Sequence, residues 1–573
     1  MIKRSVWMLT ACIVILLLSA CATTKPPEKL VVGSEANLLD HSQEFKKGVI
    51  EVTDGVYVAI GFGLANSELI VGTDGVIIID TMESEEAAIP VKEAFSRITG
   101  KPVKAIIYTH FHSDHTFGAT VMKGDGNPDI YSHVTTRKYL ERIATITRDI
   151  TYKRAMRMFG CLLPEGGVIN DGIGPFLKYD KDKTAGLLLP TKTFSGDEID
   201  LNIAGVKLKL VHAPGETNDQ IFVWLPEKKV LFCADNFYKA FPNLYTIRGT
   251  APRDVMGWVH SLDKMRSLRA EYLIPSHTRP IIGAEEIYET LTNYRDAIQF
   301  VHDQTIRGMN KGLTPDELVE VVKLPQHLAD KPYLKEYYGT VAFSVKGIFD
   351  GYLGWFGGNP TDLRPLPPYE EAHHFASLAG GADNLLEHAR KAVFQGDYQW
   401  ALVLTEKLIE LKPEDKEVKE LRAMALTELG SREINAPARN YYLTSALEAQ
   451  GRLHIGGVPP TRNKDLVRRI PLEAIFNSMA VKLNPQKSMG VNKCVGFRFP
   501  DTGQAYTVYV RSCVAEIQPC FPDNPDMVVT VDSDVWKELA AEIRNPALAL
   551  AKGDIKVKGG LINLVKFLDL FKD

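Results

Sequence analysis

Apolar positions recur along this chain in two rhythms, one of period two and one of helical spacing, and the places where they change mark its organisation. Short β-branched or apolar runs at residues 56–60, 67–71 and 76–79 are separated by glycine-bearing turns such as Gly72-Thr73-Asp74-Gly75, which predicts a β-meander over residues 49–80. Residues 84–98 take up helical spacing, and the apolar run 103–108 returns to strand. A strand, helix, strand succession is the grammar of an α/β layered fold. Residues 117–160 read as largely helical, and 159–190 as a long glycine-rich loop of the kind that is functional or disordered inside a compact domain. Strands resume over 194–225, with further apolar strands at 230–234 and 272–275.

Beyond residue 382 the rhythm is helical, as in Leu385, Leu386, Ala389 and Val393, then Ala401, Leu404, Leu408 and Leu411. Gly396, Lys412-Pro413 and Gly430 divide residues 382–451 into four helices, a repeat-like pair of hairpins better suited to interaction than to catalysis. The aromatic stretch at residues 352–356 is expected to serve packing. From residue 465 the pattern becomes α+β: an amphipathic helix, strands at 506–510 and 528–531, and helices at 536–543 and 561–571, with no cluster of acids, bases or metal ligands.

Chemistry gathers where strands end. Directly after the run 103–108 comes Thr109-His110-Phe111-His112-Ser113-Asp114-His115-Thr116, which crowds imidazoles and a carboxylate into one loop. Zinc and similar borderline metals take such ligands, and catalytic sites leave a position open. His110 and His112 can face one ion, while Asp114 and His115 point to a second. Three later strands deliver Glu216, Asp235 and His277 at their C-terminal ends in the same manner.

At 573 residues the chain has room for several domains. A net charge of −4 with both signs well mixed leaves no electrostatic footprint for nucleic acid. The first residues read as a signal peptide: basic Lys3 and Arg4, an apolar stretch over 6–18, then Leu18-Ser19-Ala20-Cys21. Those small residues resemble a bacterial lipobox, which implies cleavage before Cys21, lipidation of its thiol and a membrane anchor in the cell envelope, with Ala22 favouring the periplasmic face of the outer membrane. After Cys21 an odd number of cysteines remains: Cys161, Cys233, Cys494, Cys513 and Cys520. No disulfide framework is expected from them. Cys233 and Cys494 read as core residues, and Cys513 could pair with Cys520 if a turn brings them together.

Taken together, HxHxDH at 110–115, Pro214-Gly215-Glu216, Ala234-Asp235 and Ser276-His277 resemble the metallo-β-lactamase superfamily. Within it the chain is similar to the alkylsulfatases. The segment Asn243-Leu244-Tyr245-Thr246-Ile247-Arg248-Gly249 resembles their sulfate pocket, and Tyr338-Gly339-Thr340 with residues 351–356, 396–401, Asn435-Ala436 and Arg439-Asn440 resembles their helical dimerisation domain. Residues 465–573 are similar to their sterol-carrier-like domain.

The resemblance implies a multidomain chain. A signal peptide (1–21) and an arm (22–48) would precede an αββα metallo-β-lactamase domain (49–310), an all-α dimerisation domain (311–455) and an α+β sterol-carrier-like domain (465–573) with an apolar cavity for an alkyl chain. It further implies a homodimer that hydrolyses a small alkyl sulfate to alcohol and inorganic sulfate with two divalent ions, expected to be zinc. His110, His112 and Glu216 would hold one ion and Asp114, His115 and His277 the other, Asp235 bridging them, so that Asp114 and Asp235 act in catalysis. Arg248 and Asn243 would bind the sulfate.

Three departures from the family pattern bear on substrate choice. The family carries an extra threonine before the glutamate of the Pro-Gly turn and a further glutamate downstream, whereas here Glu216 follows Gly215 directly. It bridges its metals with glutamate where this chain has Asp235, and it places histidine where this chain has Pro242. Asp219 is a rival for the ligand role of Glu216. Hydrolysis of another ester, lactone or thioester, or non-catalytic binding of an amphiphile, are the alternative functions.

Overall fold

The computed structural model describes residues 33–143, 146–177, 184–458 and 464–572. The expected leader and its Cys21 lie outside the described residues. No helix among the described residues is long and apolar enough to cross a membrane.

Two sheets stack face to face in the first part of the chain. The first holds, in spatial order, β1 (Gly48–Thr53), β2 (Val56–Ile60), β3 (Ser67–Val71), β4 (Val76–Ile79), β5 (Val103–Ile107), β6 (Asp129–His133) and β7 (Lys192–Phe194). β1 to β4 form the antiparallel meander, and β4 to β7 run parallel. The second sheet comprises β8 (Glu198–Ile203), β9 (Val206–His212), β10 (Ile221–Leu225), β11 (Val230–Ala234), β12 (Tyr272–Pro275) and β13 (Ile281–Ile282), again side by side in chain order. Only β11 and β12 pair parallel within it, because the helix Val255–Ser267 makes the crossover between them.

Three separate cores show the layering. Val56, Ile77 and Ile107 of the first sheet meet Leu210, Val223 and Phe232 of the second between the sheets. Ala88, Val91 and Phe95 of the helix Glu85–Ile98 cover the outer face of the first sheet with Ile78 and Ile106. Trp258, Leu262 and the long helix Ala284–Met309 cover the outer face of the second. The order is helix, sheet, sheet, helix, and strands buried on both faces explain why 230–234 reads as continuous apolar sequence.

The helices Ala382–Gln395, Tyr398–Leu411, Lys416–Arg432 and Ala436–Ala449 follow, sharing one core of Leu385, Ala389, Leu404 and Leu426. Gly396 closes the first of them in the left-handed conformation at φ 77°. A third sheet, in the order β16 (Val514–Gln518), β15 (Gln504–Arg511), β14 (Lys493–Phe499), β17 (Met527–Val531), β18 (Ile555–Lys558), packs with Phe476, Trp536 and Phe567 in the C-terminal α+β unit.

Several expectations change. Residues 117–160 are not uniformly helical, because β6 interrupts them; its half-buried pattern Asp129-Ile130-Tyr131-Ser132-His133 is too short for its period to stand out beside helices. Cys494 is only half-buried, on a strand whose alternate residues face out. Cys513 and Cys520 are both free thiols. Residues 352–356 are not core: Tyr352, in the last turn of the helix Val341–Leu353, and Trp355, just past its Gly354 cap, are 59% and 73% exposed.

Candidate active site

The histidine loop leaves β5 at Ile107 and folds into the short helix Ser113–Thr116. β5 lies between parallel neighbours, so the loop emerges on the rim where the C-terminal ends of the parallel strands β4 to β6 gather. On the second sheet, Asp235 follows the last residue of β11 and His277 comes just beyond β12. Their parallel pairing sets the two side by side. Glu216 sits in the turn between β9 and β10.

All seven expected ligands meet at this rim. Their donor atoms form three groups, each lying within 4.8 Å: His110 with His115 and Asp235, Asp114 with His115 and His277, and His112 with Glu216 and Asp235. Asp235 Oδ2 stands 3.6 Å from His110 Nε2, 3.6 Å from His115 Nε2 and 3.3 Å from His277 Nε2. Asp219, the rival to Glu216, belongs to none of these groups. It is buried against the hydroxyls of Thr217 and Thr136 and the backbone of Phe111, and burial pushes its carboxyl up to about 6.

A second layer of contacts aims the imidazoles. Asp80, at the end of β4, accepts from Thr109 N at 2.9 Å, from Thr109 Oγ1 at 2.8 Å and from Ser276 Oγ at 3.1 Å, and its Oδ2 is 2.7 Å from His115 Nδ1. One buried carboxylate thereby joins the β5 loop to the β12 loop. His277 donates from Nδ1 to the carbonyl of Leu64 at 2.9 Å. The contacts at Nδ1 turn the Nε2 of His115 and of His277 into the shared space. Backbone strain collects here too, with positive φ at Asp80 (52°), Ala234 (53°) and Thr278 (69°), conformations that side chains adopt only where the surroundings enforce them.

The donor set fits divalent cations. His115 Nε2, His277 Nε2 and Asp235 Oδ1 are buried without a hydrogen-bond partner, a costly state for polar atoms unless something else meets them. Burial lowers the imidazole of His110 to about 4 and holds that of His112 well below its ordinary range, which keeps both as neutral donors. For His115 and His277 burial acts in the same sense but is outweighed by Asp114 and Asp235, so both hold their protons more tightly. The carboxylates thus draw positive charge into the cluster, and metal cations would supply it in place of protons.

The segment between β11 and the helix Val255–Ser267 lies against this rim. Arg248 Nη2 is 3.0 Å from His112 Nε2, and Asn243 is buried with its Nδ2 unpartnered. The helical part of the chain closes the back of the segment: Phe241 N donates to Lys335 O at 2.7 Å and Gly339 N to Phe241 O at 3.0 Å. Gly339 has no substitute there, since a Cβ would stand 2.0 Å from Pro242 O. Asn435 Nδ2 holds the Glu336 and Tyr338 carbonyls, and Asn440 Nδ2 donates to Asp171 Oδ1 at 2.8 Å, which accounts for the sequence pattern around Asn435 and Asn440.

Sequence reasoning passed over Asp80, Tyr238 and Arg253. Asp80 carries the same signal as Asp235, an acid directly after a buried apolar strand. Arg253 and Tyr238 carry none, because only the folded loops bring Arg253 Nη2 to 3.1 Å and the Tyr238 hydroxyl to 3.3 Å from Glu216.

Comparison with known proteins extends the picture beyond the rim. The family model of the metallo-beta-lactamase superfamily matches residues 60–277, that of alkyl sulfatase dimerisation residues 314–452, and that of the alkyl sulfatase C-terminal domain residues 460–573. A linear primary-alkylsulfatase from a Pseudomonas species is 38% identical over 521 residues, covering 88% of this chain and 98% of that one. An (R)-specific secondary-alkylsulfatase from Pseudomonas is 30% identical, over 91% of this chain and 80% of its own. The solved structure of a stereoselective inverting sec-alkylsulfatase from Pseudomonas superposes with a TM-score of 0.87 at 27% identity, covering 96% of this chain and 88% of that chain.

Proposed function

The chain belongs to the alkylsulfatase family of the metallo-beta-lactamase superfamily, and from that premise we propose that it hydrolyses alkyl sulfate esters to alcohol and inorganic sulfate. The observation that carries the proposal is the position of Arg248, whose guanidinium reaches the edge of the ligand cluster at His112. A planar guanidinium can meet two sulfate oxygens at once, and the unpartnered Nδ2 of Asn243 is a further donor. Both would orient the ester and offset charge developing on the sulfate oxygens.

Two divalent ions, expected to be zinc, would be held by the seven ligands, His110, His112 and Glu216 serving one, Asp114, His115 and His277 the other, and Asp235 shared, with His110 also grouped with His115 and Asp235. Bound there, they would supply Lewis acidity and lower the pKa of water toward about 7. The chain's own contribution is orientation. Asp80 fixes His115 and, through Thr109 and Ser276, both ligand loops; Asp114 and Asp235, both members of the donor groups, are the carboxylates we assign to accept a proton from water. The region matched by the dimerisation family supports a homodimer, and we extend the proposal to a lipid anchor on Cys21 facing the periplasm.

The test is sulfate release from dodecyl sulfate and from a secondary alkyl sulfate by the zinc-loaded protein, beside Arg248→Ala. Release by the wild-type protein and its loss in the variant support the proposal. No release from either ester would overturn it. Hydrolysis of a lactone or thioester that survives Arg248→Ala would replace it with the other hydrolase reading, which the shortened Pro214-Gly215-Glu216 turn keeps open. Detergent partitioning of wild type against Cys21→Ser tests the anchor.

A further inference from the structure

We propose that Arg253 and Tyr238 are positioning residues that lock the peptide of Asn243 to the carboxylate of Glu216, making the metal-ligand turn and the substrate segment one mechanical unit. The inference rests on the roles proposed above for Glu216 and Asn243, and it concerns two residues that belong to neither set.

The contacts form a closed circuit. Glu216 Oε1 pairs with Arg253 Nη2 at 3.1 Å, and Arg253 Nη1 donates to the carbonyl of Asn243. Glu216 Oε2 accepts from the Tyr238 hydroxyl at 3.3 Å, and the Tyr238 oxygen accepts from Asn243 N at 2.8 Å. Each oxygen of one carboxylate therefore reaches the same residue by a separate arm, one ending on its C=O and the other on its N–H. The circuit is dry: the Arg253 side chain is 3% exposed and Tyr238 is 0% exposed. Charge-assisted contacts of this kind are stronger than neutral ones and geometrically fixed when a guanidinium supplies them.

The circuit joins loops that have no ladder of their own. Glu216 stands between β9 and β10, while Asn243 lies in the irregular stretch after β11; besides the circuit, Asn236 Nδ2 ties that stretch to Ala213 O at 2.9 Å. With its peptide gripped from both sides, Asn243 has little freedom except in its side chain, whose Nδ2 is left without a partner. Glu216 in turn takes both of its partners from beyond β11. The glutamate is held from the substrate side rather than by its own loop.

A purely structural role, neutralising a buried carboxylate, makes a different prediction. Lysine supplies the charge but not two diverging N–H donors. If the circuit positions Asn243, Arg253→Lys keeps zinc through dialysis against a chelator but raises KM for dodecyl sulfate about tenfold, with kcat changed less than about threefold. Tyr238→Phe raises KM less. Because both arms serve one residue, the Arg253→Lys/Tyr238→Phe protein falls short of the product of the two single effects. Arg253→Met, which removes the cation opposite Glu216, loses zinc in the same dialysis, and a melting curve separates that loss from unfolding.

Wild-type KM in Arg253→Lys, or single effects that simply multiply, would overturn the proposal. If the wild-type protein released no sulfate, the function would fall separately. Calorimetric binding of inorganic sulfate to the wild-type and Arg253→Lys proteins would still decide the circuit, with sulfate affinity unchanged in Arg253→Lys counting against it.

Discussion

The two halves of the candidate site are built in opposite ways. The histidine loop, Asp235 and His277 project from the ends of strands whose backbones are paired and buried, and Asp80 braces them from behind. Asn243, Arg248 and Arg253 lie on a stretch without regular structure between Ala234 and Val255, held by side chains and by the helical part of the chain. Metal ligands demand a fixed geometry, and strand ends provide it. A segment that selects an organic substrate can be irregular, and variation there leaves the ligand set alone. The division predicts that damage to the first half abolishes metal and activity together, whereas damage to the second costs activity with metal retained.

The largest effect is expected from His115→Ala or Asp235→Ala, because each belongs to two of the three donor groups. Activity should fall by at least about 10³-fold, with loss of bound metal measured on the purified protein. Metal retained in full by both variants would break the comparison. Next comes Arg248→Ala, which removes a bidentate donor from developing charge. A loss of about 10²–10³-fold in kcat/KM is expected, with metal content equal to wild type. If metal falls as well, the two halves are not separable.

Asp80→Asn sharpens the comparison from the ligand side. The amide keeps the shape but loses the negative charge opposite His115 Nδ1. Outer partners of metal-bound histidines are worth about 10–100-fold in metal affinity, so zinc should be lost at a lower chelator concentration than in wild type. At saturating zinc, KM should be unchanged, since Asn243 and Arg248 are untouched.

How much of this was legible in the sequence follows the same division. Strand ends are readable because an apolar run followed at once by His or Asp is a local pattern, and the histidine loop, Asp235 and His277 all show it. The four helices from Ala382 to Ala449 were legible through their spacing and their glycine and proline breaks. β6 was not, because five residues with half-buried alternation lie between helical stretches. Residues 352–356 misled because aromatic content signals burial only within one chain, and here it sits outside, in the region matched by the dimerisation family. Arg253 and Tyr238 could not be found from sequence. Their significance lies in reaching one carboxylate from a loop with no periodicity.

The smallest expected effect concerns Asp219, which sits behind the histidine loop and separates stability from metal binding. Its carboxyl is pushed up to about 6 mainly by burial, with the nearby Thr217 and Thr136 hydroxyls pulling the other way. In the unfolded chain it titrates near about 3.9. The charged form is therefore disfavoured by folding, and above pH 6 the ionised Asp219 costs stability. That cost is relieved as pH falls through the folded value, and it is absent below the unfolded one. At one pKa unit per about 1.4 kcal/mol the upper limit is about 3 kcal/mol, and local relaxation around the buried charge should leave roughly 1 kcal/mol. Asp219→Asn retains an acceptor for the same neighbours without the charge, so it should melt about 1–2 °C higher than wild type at pH 7.5. The difference should shrink to nothing by about pH 4. Zinc retention should match wild type, because Asp219 lies in none of the donor groups. A variant that melts lower at pH 7.5 and loses zinc would instead make Asp219 part of the ligand half, and Glu216 would lose its claim to that place.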